Sequence, residues 1–121
     1  IWNDGQSVHP FAITKIKDGA GNIVYSRDPS ETITILQPQT VEYMQQLLHE
    51  VVTKGTGKRA YTPDVLGGKT GTSNDNRDAW FVGATKDNVI GVWVGHDDSR
   101  PMDSKITGGT LPATIFHGIV E

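Results

Sequence analysis

Gly67-Gly68-Lys69-Thr70-Gly71-Thr72-Ser73 leads through a short polar turn into Asp78-Ala79-Trp80-Phe81-Val82-Gly83, and that into Val89-Ile90-Gly91-Val92-Trp93-Val94-Gly95. These residues read as three β segments, about 66–73, 79–84 and 89–95, separated by Asn74 to Arg77 and by Lys86-Asp87-Asn88. Connections so short and so rich in Asn and Asp join antiparallel neighbours, which predicts a three-stranded meander over 66–95. The third segment is almost continuously apolar, as expected of a strand buried on both faces, and reads as central in its sheet. On the first, alternation sends Lys69 and Gly71 to one face and Thr70 and Thr72 to the other.

Before the meander, Val41, Met44, Leu47, Leu48, Val51 and Val52 recur at three- and four-residue spacing behind Gln37-Pro38. This predicts an amphipathic helix over 37–55, with Pro at its first position and Gly55 as a C′ residue. After the meander, Thr107-Gly108-Gly109 leads into Leu111 to Val120, where Ile115, Phe116, Ile119 and Val120 fit a C-terminal helix within 108–121. Residues 1–36 read as a hairpin and a connection. Two short strands, around Phe11 to Ile16 and Ile23 to Tyr25, flank Asp18-Gly19-Ala20-Gly21-Asn22, and Arg27 to Glu31, with Pro29, is polar.

The 121 residues suit one domain, or a piece of one, with a modest core at 36% hydrophobic. Eleven Lys and Arg against fourteen Asp and Glu give a net charge of -3, which offers no basic field for a nucleic acid. No apolar run approaches the ~20 residues of a spanning helix, so no membrane contact is expected from this segment. The absence of Cys excludes thiol nucleophiles, disulfides and Cys-based zinc sites. His9, His49, His96 and His117 lack metal-ligand spacing, and Asp97-Asp98 beside His96 reads as a solvated turn, so no metal is expected. Trp2, Trp80 and Trp93 read as core residues, and Arg59 and Arg77 as solvated surface charges.

Gly68-Lys69-Thr70 resembles the end of a phosphate-binding loop, but Pro63 stands where that pattern needs its first Gly and no helix signal follows Thr70. The alternative is a Lys-Thr-Gly strand beside a serine acyl-transfer site. Such a site needs a cation near the nucleophile, hydroxyls for a substrate carboxylate and backbone N–H groups for an oxyanion. Gly71 removes bulk where a substrate chain must approach the backbone.

Gly55-Thr56-Gly57, Gly68-Lys69-Thr70-Gly71-Thr72, Asp78-Ala79-Trp80-Phe81-Val82-Gly83, Val92-Trp93-Val94-Gly95 and Thr107-Gly108-Gly109 occur in an order and spacing that resemble the class A penicillin-binding proteins. The likeness is to the C-terminal part of their transpeptidase domain and covers essentially the whole chain. It implies an α+β fold, an antiparallel sheet flanked by helices, of the serine transpeptidase and β-lactamase kind. It also implies that Lys69 holds charge beside the active-site serines and helps proton transfer. Thr70 and Thr72 would bind the substrate or β-lactam carboxylate, Gly71 would line the same subsite, and the Thr72 N–H would form half of the oxyanion hole. Asp78, Trp80, Phe81 and Thr107-Gly108-Gly109 take structural roles.

The family's Ser-x-x-Lys and Ser-x-Asn motifs match none of Ser7, Ser26, Ser30, Ser73, Ser99 and Ser104. The expectation is therefore a segment without the nucleophile, beginning at Ile1 and not at Met, whose missing walls precede Ile1. In the family, a strand from that upstream half pairs with the one corresponding to 89–95. The implied partners are peptidoglycan stem peptides, β-lactams and the upstream half of the domain. No cofactor is implied, and the implied location is the extracytoplasmic face of the bacterial inner membrane, with the anchor outside this chain. A D,D-carboxypeptidase or β-lactamase relative uses the same lysine strand, and a non-catalytic binding module is the alternative from another class.

Overall fold

The computed structural model describes residues 1–7, 9–28 and 32–121. Of the polar connection after the hairpin, 29–31 lie outside the described residues. The order of elements is β1 (Lys15–Lys17), β2 (Ile23–Ser26), α1 (Pro38–Thr53), β3 (Gly67–Thr72), β4 (Asp78–Ala84), β5 (Val89–Gly95) and α2 (Leu111–Val120). The fold is α+β: β1 and β2 form an antiparallel hairpin, and β3, β4 and β5 a separate antiparallel sheet in sequence order.

The hairpin is built around its turn. Asp18 accepts the amides of Ala20 and Asn22 on Oδ1 at 2.9 and 2.8 Å, and the Asn22 side-chain amide on Oδ2 at 2.9 Å. Gly21 takes a φ of 87°, open to glycine at no steric cost. Those hydrogen bonds, the Asn22 side-chain amide foremost, hold the Asp18 carboxyl below its ordinary value of 3.8. The chain's start lies against the segment before α1, where Gln6 bridges Thr34 and Ser7 N donates to Ile33 O at 2.8 Å.

In the meander, Thr70 faces Phe81 and Thr72 faces Ala79, so they share the sheet face on which Ala79 and Phe81 are buried. Phe81 meets Phe116 of α2 edge to face, with ring centroids 4.8 Å apart. Val52 of α1, Ala60, Val65, Val92 and Ala113 complete the core around this pair. Glycines make that packing possible, since a Cβ on Gly83 would come within 2.6 Å of the Phe116 ring and one on Gly68 within 2.5 Å of Phe81. α1 packs on β3 by the same device: a Cβ on Gly67 would sit 2.8 Å from the backbone of Leu48. Gly55 does follow the end of α1, but without a left-handed φ. It is glycine for space, because a Cβ there would meet the Val51 Cα at 2.9 Å.

Two expectations are corrected. Trp80 and Trp93 do not enter the core; they pair across β4 and β5 on the opposite sheet face, 46% and 42% exposed, with ring centroids 6.4 Å apart. And β5 is an edge of the described sheet and not a central strand, packed on the Val92 side only, with Val89 61% exposed. An apolar segment reads as buried whether or not its neighbours lie within the residues at hand. The surface area of 8443 Å² is larger than the roughly 6,400 Å² of a compact monomer of this mass. Exposed large apolar side chains include Ile16, Ile23 and Tyr25 of the hairpin as well as Trp80 and Trp93.

Candidate active site

β3 carries the candidate residues, and its two edges differ. Ser73 N donates to Asp78 O at 2.9 Å, toward β4. Successive amides of a strand point to opposite edges, so the Thr72 N–H points outward, away from the sheet. The Thr70 carbonyl lies on the same outer edge. Lys69 folds its exposed side chain back onto it, with Nζ 2.6 Å from Thr70 O. Lys69 and Gly71 share the face of Val82 and Trp80, their register partners. A Cβ on Gly71 would meet only Trp80 Cβ, at an ordinary 3.5 Å. Packing within the chain therefore does not demand glycine at 71, which leaves room over the strand as the reason for it.

The two threonines are held from behind. The hydroxyl of Thr70 lies 2.7 Å from that of Thr56, and Thr72 Oγ1 accepts the Gly108 N–H at 3.1 Å. Gly108 sits flat on the sheet, where a Cβ would run into the carbonyl oxygens of Trp80 and Gly71; one on Gly109 would run into that of Thr56. The three glycine-containing turns and strands named in the sequence thus meet at one point. Thr110 Oγ1 closes the turn by accepting Thr107 N at 2.8 Å.

Asp78 anchors the end of β3. Its Oδ2 accepts Ser73 Oγ at 3.1 Å, its Oδ1 accepts Trp93 Nε1 at 3.0 Å, and its amide donates to Ser73 Oγ at 2.7 Å. Beyond Ser73, Asp75 and Asn76 adopt left-handed φ values of 58° and 53°, which Asp and Asn accept more readily than other side chains. The loop after β5 straps this turn: Met102 N donates to Asn76 O at 3.0 Å and Asn76 Nδ2 to Ile106 O at 2.9 Å. Arg77 is exposed, as expected of a surface charge, and also donates to Ser99 O at 2.5 Å.

No role for Thr56 follows from the sequence, although Gly55-Thr56-Gly57 is among the family-like motifs; a hydroxyl between two glycines at a helix end is the signal for it. Of the histidines, His49 contacts Leu66 O at 3.0 Å and His117 contacts Tyr61 O at 3.1 Å, both through Nδ1. Among the described residues no three His, Asp or Glu side chains gather as metal ligands would.

The model of the penicillin binding protein transpeptidase domain matches residues 1–121. Penicillin-binding protein 1A of Rickettsia bellii is 34% identical over 96% of this chain and 18% of its own length. Penicillin-binding protein 4 of Bacillus subtilis is 44% identical over 78% of this chain and 15% of its own. In structure, the D,D-transpeptidase domain of a peptidoglycan glycosyltransferase from Eggerthella lenta aligns with a TM-score of 0.72 at 25% identity, over 98% of this chain and 28% of that one. The chain thus spans less than a fifth of the curated relatives' length. One family model spans the whole chain, and the fold aligns with a solved member over 98% of it. The chain belongs to the penicillin-binding protein transpeptidases, in their class A branch.

Proposed function

We propose that this chain forms the Lys-Thr-Gly wall of a serine D,D-transpeptidase that cross-links peptidoglycan stem peptides and is acylated by β-lactams. The observation that carries the reading is the outer edge of β3, unpaired in the described sheet, where the Thr72 N–H and the Lys69-bound Thr70 carbonyl lie beside the hydroxyls of Thr70 and Thr72. A peptide laid along that edge would pair with it as an added strand does. In the reaction, a serine from the upstream half attacks the carbonyl carbon of the penultimate D-Ala. The peptide C–N bond breaks and the terminal D-Ala leaves with a proton. An amine of a neighbouring strand then displaces the serine and releases its proton.

In this scheme Lys69 stabilises charge beside the serine and helps move its proton. The Thr72 amide supplies half of the oxyanion hole, Thr70 and Thr72 bind the substrate carboxylate, and Gly71 gives the substrate room. The upstream half covers the Trp80 and Trp93 face and pairs with the bare edge of β5; the excess exposed surface supports this. The parent protein, which we take to carry glycosyltransferase activity as well, works on the extracytoplasmic face of the inner membrane. Its anchor would lie outside this segment, in which no described helix is long and apolar enough to cross a membrane.

The test is Lys69→Ala in the full-length protein. Acylation by a fluorescent penicillin should fall by roughly 10²–10³-fold, the usual cost of removing one preorganised electrostatic group. The melting temperature should hold, because Lys69 is exposed. Acylation at the wild-type rate would remove Lys69 from the site. The isolated chain should show no mass increase with penicillin, and a stoichiometric adduct would overturn the upstream position of the nucleophile.

A further inference from the structure

Thr56 stands directly behind the carboxylate-binding hydroxyls. It lies just past α1 on a turn whose backbone is pinned on both sides: Gly55 N donates to Glu50 O and Gly57 N to Val51 O, each at 2.9 Å. A Cβ on Gly57 would crowd the Phe81 ring at 3.1 Å, and Gly109 presses on the Thr56 carbonyl. The Thr56 hydroxyl is thus held at a fixed point, 2.7 Å from that of Thr70.

A hydroxyl has one proton and two lone pairs, so its hydrogen bonds have a direction. At Thr72 the direction is settled, because the Gly108 N–H can only donate and the Thr72 proton is left to point elsewhere. At Thr70 either hydroxyl can be the donor. If Thr70 donates backward to Thr56, it meets an anion with a lone pair. If Thr56 donates forward, Thr70 meets the anion with its proton, and the two bonds polarise each other in the same sense.

We infer that Thr56 is a positioning residue for the carboxylate subsite: by donating to Thr70 it aims the Thr70 proton at the ligand's carboxylate. This rests on the proposed carboxylate role of Thr70. Thr70 and Thr72 then act as a matched pair, each accepting from behind and donating forward.

The experiment compares acylation of the full-length enzyme by benzylpenicillin, which carries the free carboxylate, and by its methyl ester, which does not. Thr56→Val keeps the shape and removes the hydroxyl. It should slow acylation by benzylpenicillin about 5- to 10-fold, within the range for one hydrogen bond between neutral groups. The ester should change less than about two-fold, and Thr56→Ser should restore discrimination between the two. Thr56→Ala, which leaves a gap instead of a methyl group, should follow Thr56→Val. Equal slowing of both compounds, or no slowing of either, while Thr70→Val collapses the discrimination, would overturn the role of Thr56 alone. Unchanged discrimination in Thr70→Val would overturn the carboxylate reading of Thr70, and this inference with it.

Discussion

Trp93 donates its indole N–H to Oδ1 of Asp78 at 3.0 Å, a diagonal link from β5 to the first residue of β4. The other carboxylate oxygen holds Ser73, one residue beyond Thr72. Asp78→Ala removes both links and should destabilise the full-length protein by about 0.5–1.5 kcal/mol, the ordinary range for a hydrogen bond whose partner can turn to water. Asp78→Asn, which still offers one acceptor, should fall between. Thermal unfolding checks the order. Wild-type stability in Asp78→Ala would show that the carboxylate does not tie the sheet together.

Gly108→Ala should be far more damaging than its size suggests. The new methyl group would run into backbone atoms of Trp80 and Gly71, the oxygens of both and the Gly71 nitrogen, and backbone cannot move aside as a side chain can. A loss of about 1–3 kcal/mol or more is expected from such overpacking. Acylation should fall as well, because Gly108 also donates to Thr72. Gly118→Ala, where nothing lies within 4 Å of the added atom, is the matched control: it should leave acylation unchanged and, being helical, should keep or raise stability by up to about 1 kcal/mol.

Phe116→Ala should cost about 3–5 kcal/mol, as expected of a large aromatic emptied from a core. Phe116 is fully buried and its ring packs edge to face on Phe81. Chemical denaturation of the full-length protein measures this. A cost under 1 kcal/mol would mean that α2 is not seated on the sheet as described.

The hairpin turn should weaken in acid. The Asp18 carboxyl is held below its ordinary value by the Asn22 side chain and the turn amides, so the native state favours its ionised form. Its contribution is complete above the unfolded-state value near 3.8 and is lost as the pH falls through the lower folded value. Amide chemical shifts of Ala20 and Asn22 followed from pH 6 to pH 2 should move in that lower window. In Asp18→Asn the transition should vanish; its persistence would assign the effect to another group.

Much of the architecture was legible because it is written in local periodicity. The spacing of Val41, Val51 and Val52 marks α1, and the Asn- and Asp-rich turns mark the meander, whose strands pair in sequence order. Lys69, Thr70, Gly71 and Thr72 are contiguous, so their sharing one strand needed no tertiary information. What could not be read is which apolar face is covered by what. Trp80 and Trp93 are as hydrophobic as any core residue, and nothing in their spacing says that they lie on the sheet face away from Phe116. The partners of the threonines were equally hidden. Thr56 and Gly108 are 14 and 36 residues from the hydroxyls they meet, and only the packing of α1 and the 107–109 turn on β3 brings them there.

Gly108 rests on the peptide groups of Gly71 and Trp80 without an intervening side chain. Side chains act as springs: they change rotamer, absorb a few tenths of an ångström and blunt a displacement before it travels. Here that compliance is missing. A push on the turn before α2 reaches the backbone of the Lys-Thr-Gly strand undiminished, and a ligand bound along that strand pushes back on α2 in equal measure. The strand and the C-terminal helix should therefore move as one stiff body, and whatever adaptability the site has must come from the elements that face it across the ligand.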